Sequence, residues 1–343
     1  MSRRLAPVAV AFALVLGAAE APGDSPPSGW ERAKDPRIGD DWELHAKVIE
    51  WLTPEPHERR NQRHRKEEAA MTWLEEAHAE TSPDIRLRFD LGYIYEELEH
   101  YGRAIQVLAP ALAQAPDHPA STLAWEEIAY AYAHLDQSRE EIAAYDAYLA
   151  RTESGDARAT VLGNRAEAEM RLGNLEEAIS GYREAIVAAE STSLVMNNVN
   201  LIIADILARW GLAVALDRSG DPTSAAREAA RAVQLETNTT SRPAGLLIGD
   251  QSPDSSVFFV PDYERFYYLG LGIAEQAKQA ADPRGAAGLW GKTESSWVQY
   301  VAGAEAWNTR HKDRPDRWLS LAKAHLARAQ KQRLAAEKRV RSP

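Results

Sequence analysis

The chain has 343 residues, no cysteine and a formal net charge of −11 at pH 7. Without cysteine there is no disulfide, thiolate metal site, thioether haem attachment, thiol nucleophile or lipoprotein anchor. The acidic balance argues against a surface given over to nucleic acid, which would be basic. A hydrophobic share of 45% against 27% charged supplies a core of real size and argues against general disorder.

In chain order, the first element resembles a cleavable export signal. Arg3 and Arg4 precede an apolar run over residues 5–17, and Ala19-Glu20-Ala21 supplies a small-x-small cleavage pattern. The run is too short to span a bilayer, which needs about 20 apolar residues. Residues 1–21 are therefore expected to be removed after Ala21, leaving a periplasmic or secreted chain. No later segment reads as a transmembrane helix. Residues 22–29, rich in Pro, Gly and Ser, read as a flexible linker. Residues 30–84 read as N-terminal helices. One is placed at 40–52, with Trp42, Ile49 and Leu52 at helical spacing, and one at 58–80, which begins with the basic run Arg59, Arg60, Arg63, Arg65 and Lys66.

Internal repetition follows. A small residue of a first helix recurs at Gly92, Ala129 and Ala166. The start of a second helix recurs at Ala104, Glu141 and Ala178, so both landmarks run at a spacing of 37. A fourth copy, with Ala213, Leu216, Gly220-Asp221 and Ala225, is displaced by 47. The stretch "LGNLEEAISGYREA", residues 172–185, and the set Gly92, Tyr95, Ala104, Ala111 and Pro116 resemble the tetratricopeptide repeat, a helix-turn-helix unit of about 34 residues. The resemblance covers about residues 63–234. It implies an all-α, right-handed helical-repeat solenoid over residues 85–234. Glu141 departs from the family's alanine, and the spacings imply longer connections between repeats.

Residues 235–261 break the pattern. This long polar segment holds two apolar islands, 246–248 and 257–260, which could pair as a short β-hairpin or lie extended. Helices resume in an aromatic-rich, irregular region at 262–309. A basic capping helix closes the chain at 310–343, where eleven Lys and Arg stand against three acids.

Chemistry is sparse. Gly291-Lys292-Thr293 lacks the upstream glycine and the preceding strand of a phosphate loop. His57 and His64 lack a third ligand, so no metal is expected. The pairs Glu96-Glu97, Glu126-Glu127 and Glu176-Glu177 read as solvated helix faces, not as glycosidase carboxylates. Trp51, Trp73, Trp125 and Trp318 read as core. No catalytic residue and no cofactor are expected, and the protein reads as a non-enzymatic adaptor.

In the family, first helices line a concave groove. That register places Phe89, Tyr93, Glu96 and Glu97 there from the first repeat. Glu126, Tyr130 and His134 come from the second, Gly163, Glu167 and Arg171 from the third, and Trp210, Asp217 and Arg218 from the fourth. Aromatic groups among carboxylates suit a peptide or helix with apolar and basic side chains. Phe89 and Tyr93 stand where the family's carboxylate clamp has Lys and Asn, so an acidic tail is not the implied partner. The basic C-terminal stretch suggests an anionic envelope surface as a second partner. An alternative function is binding of a small ligand or glycan, or glycoside hydrolysis, at the aromatic cluster from Phe258 to Tyr268.

Overall fold

The computed structural model describes residues 36–55, 58–152, 156–196, 199–240, 248 and 257–341. The signal, the linker and most of the 235–261 insertion lie outside the described residues. Among the described residues all regular structure is helical. The chain divides into two compact units, Met1–Glu153 and Ser154–Pro343, so the division falls between the second and third repeats.

The N-terminal unit contains α1 (Pro36–Leu52), α2 (Arg60–Glu76), a 3-10 turn (Ala79–Thr81), α3 (Ile85–Glu97), α4 (Tyr101–Gln114), α5 (Ser121–His134) and α6 (Ser138–Arg151). The helix expected over 58–80 ends at Glu76, because His78 takes a left-handed conformation and a 3-10 turn follows. Asp84 starts α3 by accepting a hydrogen bond from the Arg86 amide, satisfying one of the free N–H groups of the first turn. Helix α3 packs on α4, its hairpin partner, and on α5, the first helix of the next repeat. Leu87, Leu91, Ile94, Leu108 and Leu112 are almost completely buried in this packing, each contributing about 1.5–3 kcal/mol. Gly92 sets the approach of the hairpin: a Cβ there would lie 2.3 Å from the Leu108 side chain. His45 of α1 ties to Asp90 of α3 at 2.6 Å.

The C-terminal unit contains α7 (Asp156–Leu172), α8 (Leu175–Met196), α9 (Val199–Arg218), α10 (Pro222–Thr240), a 3-10 turn (Asp262–Glu264), α11 (Arg265–Gln279), α12 (Pro283–Arg310) and α13 (Leu319–Arg341). Helix α9 packs against α7, α8, α10 and α11. It corrects one expectation, since by length and composition it could cross a membrane. Most of it is buried instead, so its apolarity is that of a core helix. Helix α10 runs to Thr240, six residues past Gln234, and keeps Glu236 buried on the face that buries Ala225, Ala229 and Ala232. The hairpin expected from the two apolar islands finds no support among the described residues: Ile248 is helical and buried, and 257–260 form no strand. Gly291, Lys292 and Thr293 lie inside α12, which leaves no loop to cradle a phosphate.

One turn recurs through both units. The second turn residue has positive φ in each repeat, at Glu99, Asp136, Gly173 and Gly220. In each the next amide reaches back five residues, from His100, Gln137, Asn174 and Asp221 to Tyr95, Tyr132, Glu169 and Leu216. These bonds satisfy carbonyls left free at the end of the first helix. The turns repeat at the 37, 37 and 47 spacing of the sequence landmarks.

The tryptophan expectation is also corrected. Trp51 is 41% exposed, and Trp73, Trp125 and Trp318 are only half-buried. Trp51 and Trp73 instead pack on each other with ring centroids 5.5 Å apart, and the Lys47 ammonium sits 3.4 Å from the Trp73 ring centroid. Helical spacing put the four tryptophans beside the apolar face, and a lysine or arginine cation approaches each ring there. Among the described residues the buried tryptophans are Trp210, Trp290 and Trp297.

Candidate functional site

In the N-terminal unit the structure brings the first two repeats' candidate residues to neighbouring helices α3 and α5. Phe89 and Glu126 are buried, while Tyr93, Glu96, Glu97, Tyr130 and His134 keep part of their surface open. His134 stacks on Tyr101 of α4, with centroids 4.1 Å apart and planes 5° apart. Tyr130 meets Tyr145 of α6 edge-on at 6.4 Å. From α2, Arg63 donates to the Tyr93 hydroxyl at 3.2 Å and to Glu67 at 2.7 Å.

The carboxyls here are not the solvated face expected from sequence. Glu126 and Glu127 are 2% and 4% exposed. Helix α3 covers α5 from one side, and a run of helical residues cannot show which neighbour will cover it. Burial pushes the Glu126 carboxyl up to about 7, against the smaller opposing effect of a hydrogen bond with Tyr130. Burial and the neighbouring Glu97 charge push Glu96 up to about 8. Glu127 is driven upward by burial and by the charges of Glu96, Glu126 and Glu97. Glu67 follows the same direction, from burial and then Glu97. Glu96 and Glu127 hydrogen-bond to each other, which requires a proton between them. Glu176 and Glu177 are exposed, as the sequence reading expected.

In the C-terminal unit the candidate residues enter a different environment. Glu167 accepts hydrogen bonds from the Tyr182 and Tyr268 hydroxyls, each at 2.7 Å. Trp210 is 1% exposed; a Cβ on Gly272 of α11 would meet its ring at 2.0 Å, so it fills the core between helices. Arg171 and Gly163 are half-buried on α7. Asp217 accepts from Tyr267 at 2.6 Å and pairs with His325 at 2.7 Å. Burial alone would raise Asp217, but the His325 and Tyr267 bonds outweigh it and hold the carboxyl below its usual range. Arg218 pairs with Glu264 at 2.5 Å. Asp316 accepts from Tyr263 and Tyr300, each at 2.9 Å. Sequence reasoning missed this network, because most of its donors come from the region after the repeats.

That network decides what the aromatic cluster can offer. Tyr263, Tyr267 and Tyr268 are buried and their hydroxyls are spent on carboxylates; Phe258 is 38% exposed, and Phe259 packs on Tyr268 at 5.0 Å. Beside Asp217, His325, Trp290 and Trp297 lies a cavity of about 60 Å³. It has room for water-sized occupants and is far below the roughly 300 Å³ of ordinary ligand pockets. Among the described residues no group of three or more acidic or histidine side chains is placed to hold a metal ion.

Paired antiparallel helices closed by one recurring turn define a helical-hairpin repeat protein. The family model of the tetratricopeptide repeat matches residues 85–118, which are α3, α4 and the turn between them. Residues 85–118 thus match one tetratricopeptide repeat. No curated protein matches the chain. Among solved structures it is similar to a double mutant of MamA, described as RS-1, at 20% identity, covering 60% of this chain and 99% of that one with a TM-score of 0.46. It is similar to MamA from Desulfovibrio magneticus RS-1 at 20% identity, covering 58% and 97% with a TM-score of 0.45. It is also similar to tetratricopeptide-like repeats of a Podosopora anserina putative kinesin light chain at 16% identity, covering 58% and 96% with a TM-score of 0.44. A repeat fold of this kind supports a role in protein interaction.

Proposed function

We propose that this protein is an exported, non-catalytic adaptor that holds a segment of another protein against the first helices of its repeats. The observation that carries the reading is the α3–α5 face, where Tyr93, Glu96, Glu97, Tyr130 and His134 stay partly open above buried Phe89 and Glu126. Large aromatic groups beside polar ones, on rigid helices, make a surface suited to an apolar and basic segment. The test is crosslinking in native cells with the full chain and with a Tyr93→Ala, Glu97→Gln double variant. Partner capture should fall by at least about tenfold while helicity is unchanged, because anchors at an interface centre are worth about 1.4 kcal/mol or more. Capture at the parental level would remove the face from the account.

Export rests on the N-terminal pattern from Arg3 to Ala21. Sequencing the mature N-terminus from fractionated cells should return Pro22 as the first residue; a cytoplasmic chain starting at Met1 would contradict export. The basic helix α13 is proposed to lie on an anionic envelope surface. Lys331, Lys338 and Arg339 are exposed on it, with Leu334 among them at 57% exposure. Sedimentation with vesicles containing anionic lipid, and none with neutral vesicles, is the expected outcome.

A further inference from the structure

We infer that the α3–α5 face of the N-terminal unit receives the side-chain cation of a lysine or arginine carried by the bound segment. The inference deepens the adaptor reading and rests on it for the existence of a segment.

The first support is an imbalance of charge. Burial and then neighbouring acid charges raise Glu67 of α2, Glu96 of α3 and Glu127 of α5: the Glu97 charge acts on all three, and that of Glu126 of α5 on Glu127. The guanidinium that faces them is Arg63, already engaged with Glu67 and the Tyr93 hydroxyl. The remaining titratable neighbours are His64 of α2, which lies 3.6 Å from Glu68, Glu99 in the following turn, Tyr101 of α4 and His134 of α5. On α6, Tyr145 faces Tyr130. None of these supplies a fixed second cation. The free protein therefore keeps Glu96, Glu126 and Glu127 tolerable by keeping protons on them, the ordinary response of crowded buried acids.

The second support is independent of charge counting. The Oε1 oxygen of Glu126 is sealed from solvent and has no hydrogen-bond partner. Buried carboxyl oxygens are almost always satisfied, so an orphan among other acids marks a missing donor. The donor must bring N–H groups and positive charge together. A metal ion does not fit, since the described residues offer no three-ligand arrangement. An ammonium or guanidinium does, and the neighbouring Tyr93 and Tyr130 rings add the aromatic surface that such cations favour.

When the cation arrives, protons leave. Binding replaces a carboxyl proton by a charged N–H donor, and the proton passes to solvent. Affinity for a basic segment should therefore rise with pH. It gains roughly tenfold between pH 6 and pH 8 for each proton released by a carboxyl that titrates near the middle of that range, and about fiftyfold for one near its upper end.

The test is selection from a random dodecapeptide phage library by the immobilised full chain, at pH 8 and at pH 6. The expected result is enrichment of peptides with Lys or Arg at a fixed offset from an apolar residue at pH 8, falling to background at pH 6. Glu126→Gln and the half-exposed Glu97→Gln should each lose the basic preference at pH 8, with circular dichroism confirming that they fold. Enrichment without a basic preference, or with one unchanged at pH 6, would overturn the cation site and leave the adaptor reading standing. No enrichment at either pH would overturn both.

Discussion

The two units bury carboxylates in opposite ways. In the C-terminal unit four buried or half-buried acids meet donors: Glu167 has two tyrosines, Asp217 a tyrosine and a histidine, Glu264 an arginine and Asp316 two tyrosines. In the N-terminal unit Glu96 and Glu127 meet each other, and Glu126 meets Tyr130 while its Oε1 oxygen has no partner. The same kind of helix hairpin builds both. A satisfied acid rigidifies its surroundings and has no need of an outside partner. An unsatisfied one is costly in the free protein, and that cost is released when a donor arrives. The comparison gives the C-terminal network a structural role and supports the proposal that the α3–α5 face binds a partner.

Four changes would break or sharpen this contrast. Arg218→Met, the largest, strands the buried Glu264 carboxylate and should destabilise the C-terminal unit by about 3–5 kcal/mol in chemical denaturation. The pH response comes next. The folded values of Glu96 and Glu126, about 8 and about 7, lie above the ordinary 4.5, so the folded N-terminal unit binds more protons than the unfolded chain. Its stability is fully present below pH 4.5 as far as these groups are concerned, and is lost as pH rises through 7 to 8. Glu126→Gln removes one such group and should reduce the loss between pH 5 and pH 8 by about 2 kcal/mol. Asp217 has the opposite sign: its folded value is depressed, so the stability it contributes is present above 3.8 and lost as pH falls through the folded value. Tyr268→Phe takes one of two donors from Glu167 and should cost about 1–2 kcal/mol in the same denaturation assay. Smallest, Glu99→Gly relieves a positive φ of 61° at the first repeat's turn. It should stabilise by about 1 kcal/mol, a rise of a few degrees in the midpoint of thermal unfolding.

The repeat architecture was legible because two landmarks kept one spacing. Gly92, Ala129 and Ala166 are where helices approach closely, and the left-handed residues at 99, 136 and 173 follow them at constant offset. The site was legible only in part. The register picked out Tyr93, Glu97, Glu126 and Tyr130 because first helices alternate between neighbours and open space. It did not show that Glu126 and Glu127 would be covered, since that depends on how closely α3 lies against α5. Trp210 was misplaced as surface, and the tyrosine donor of Glu167 went unseen, for a related reason. Their partners, Gly272 and Tyr268, lie on α11, beyond the segment in which repetition can be read.

The central claim is that the N-terminal face holds protons that an incoming cation would displace. Carbon-13 NMR of the glutamate side-chain carboxyls, titrated from pH 4 to pH 9, observes those protons directly. The account predicts that Glu126 titrates near 7 and Glu96 near 8, with Glu127 also displaced upward. Titration of all three near the ordinary 4.5 would contradict it.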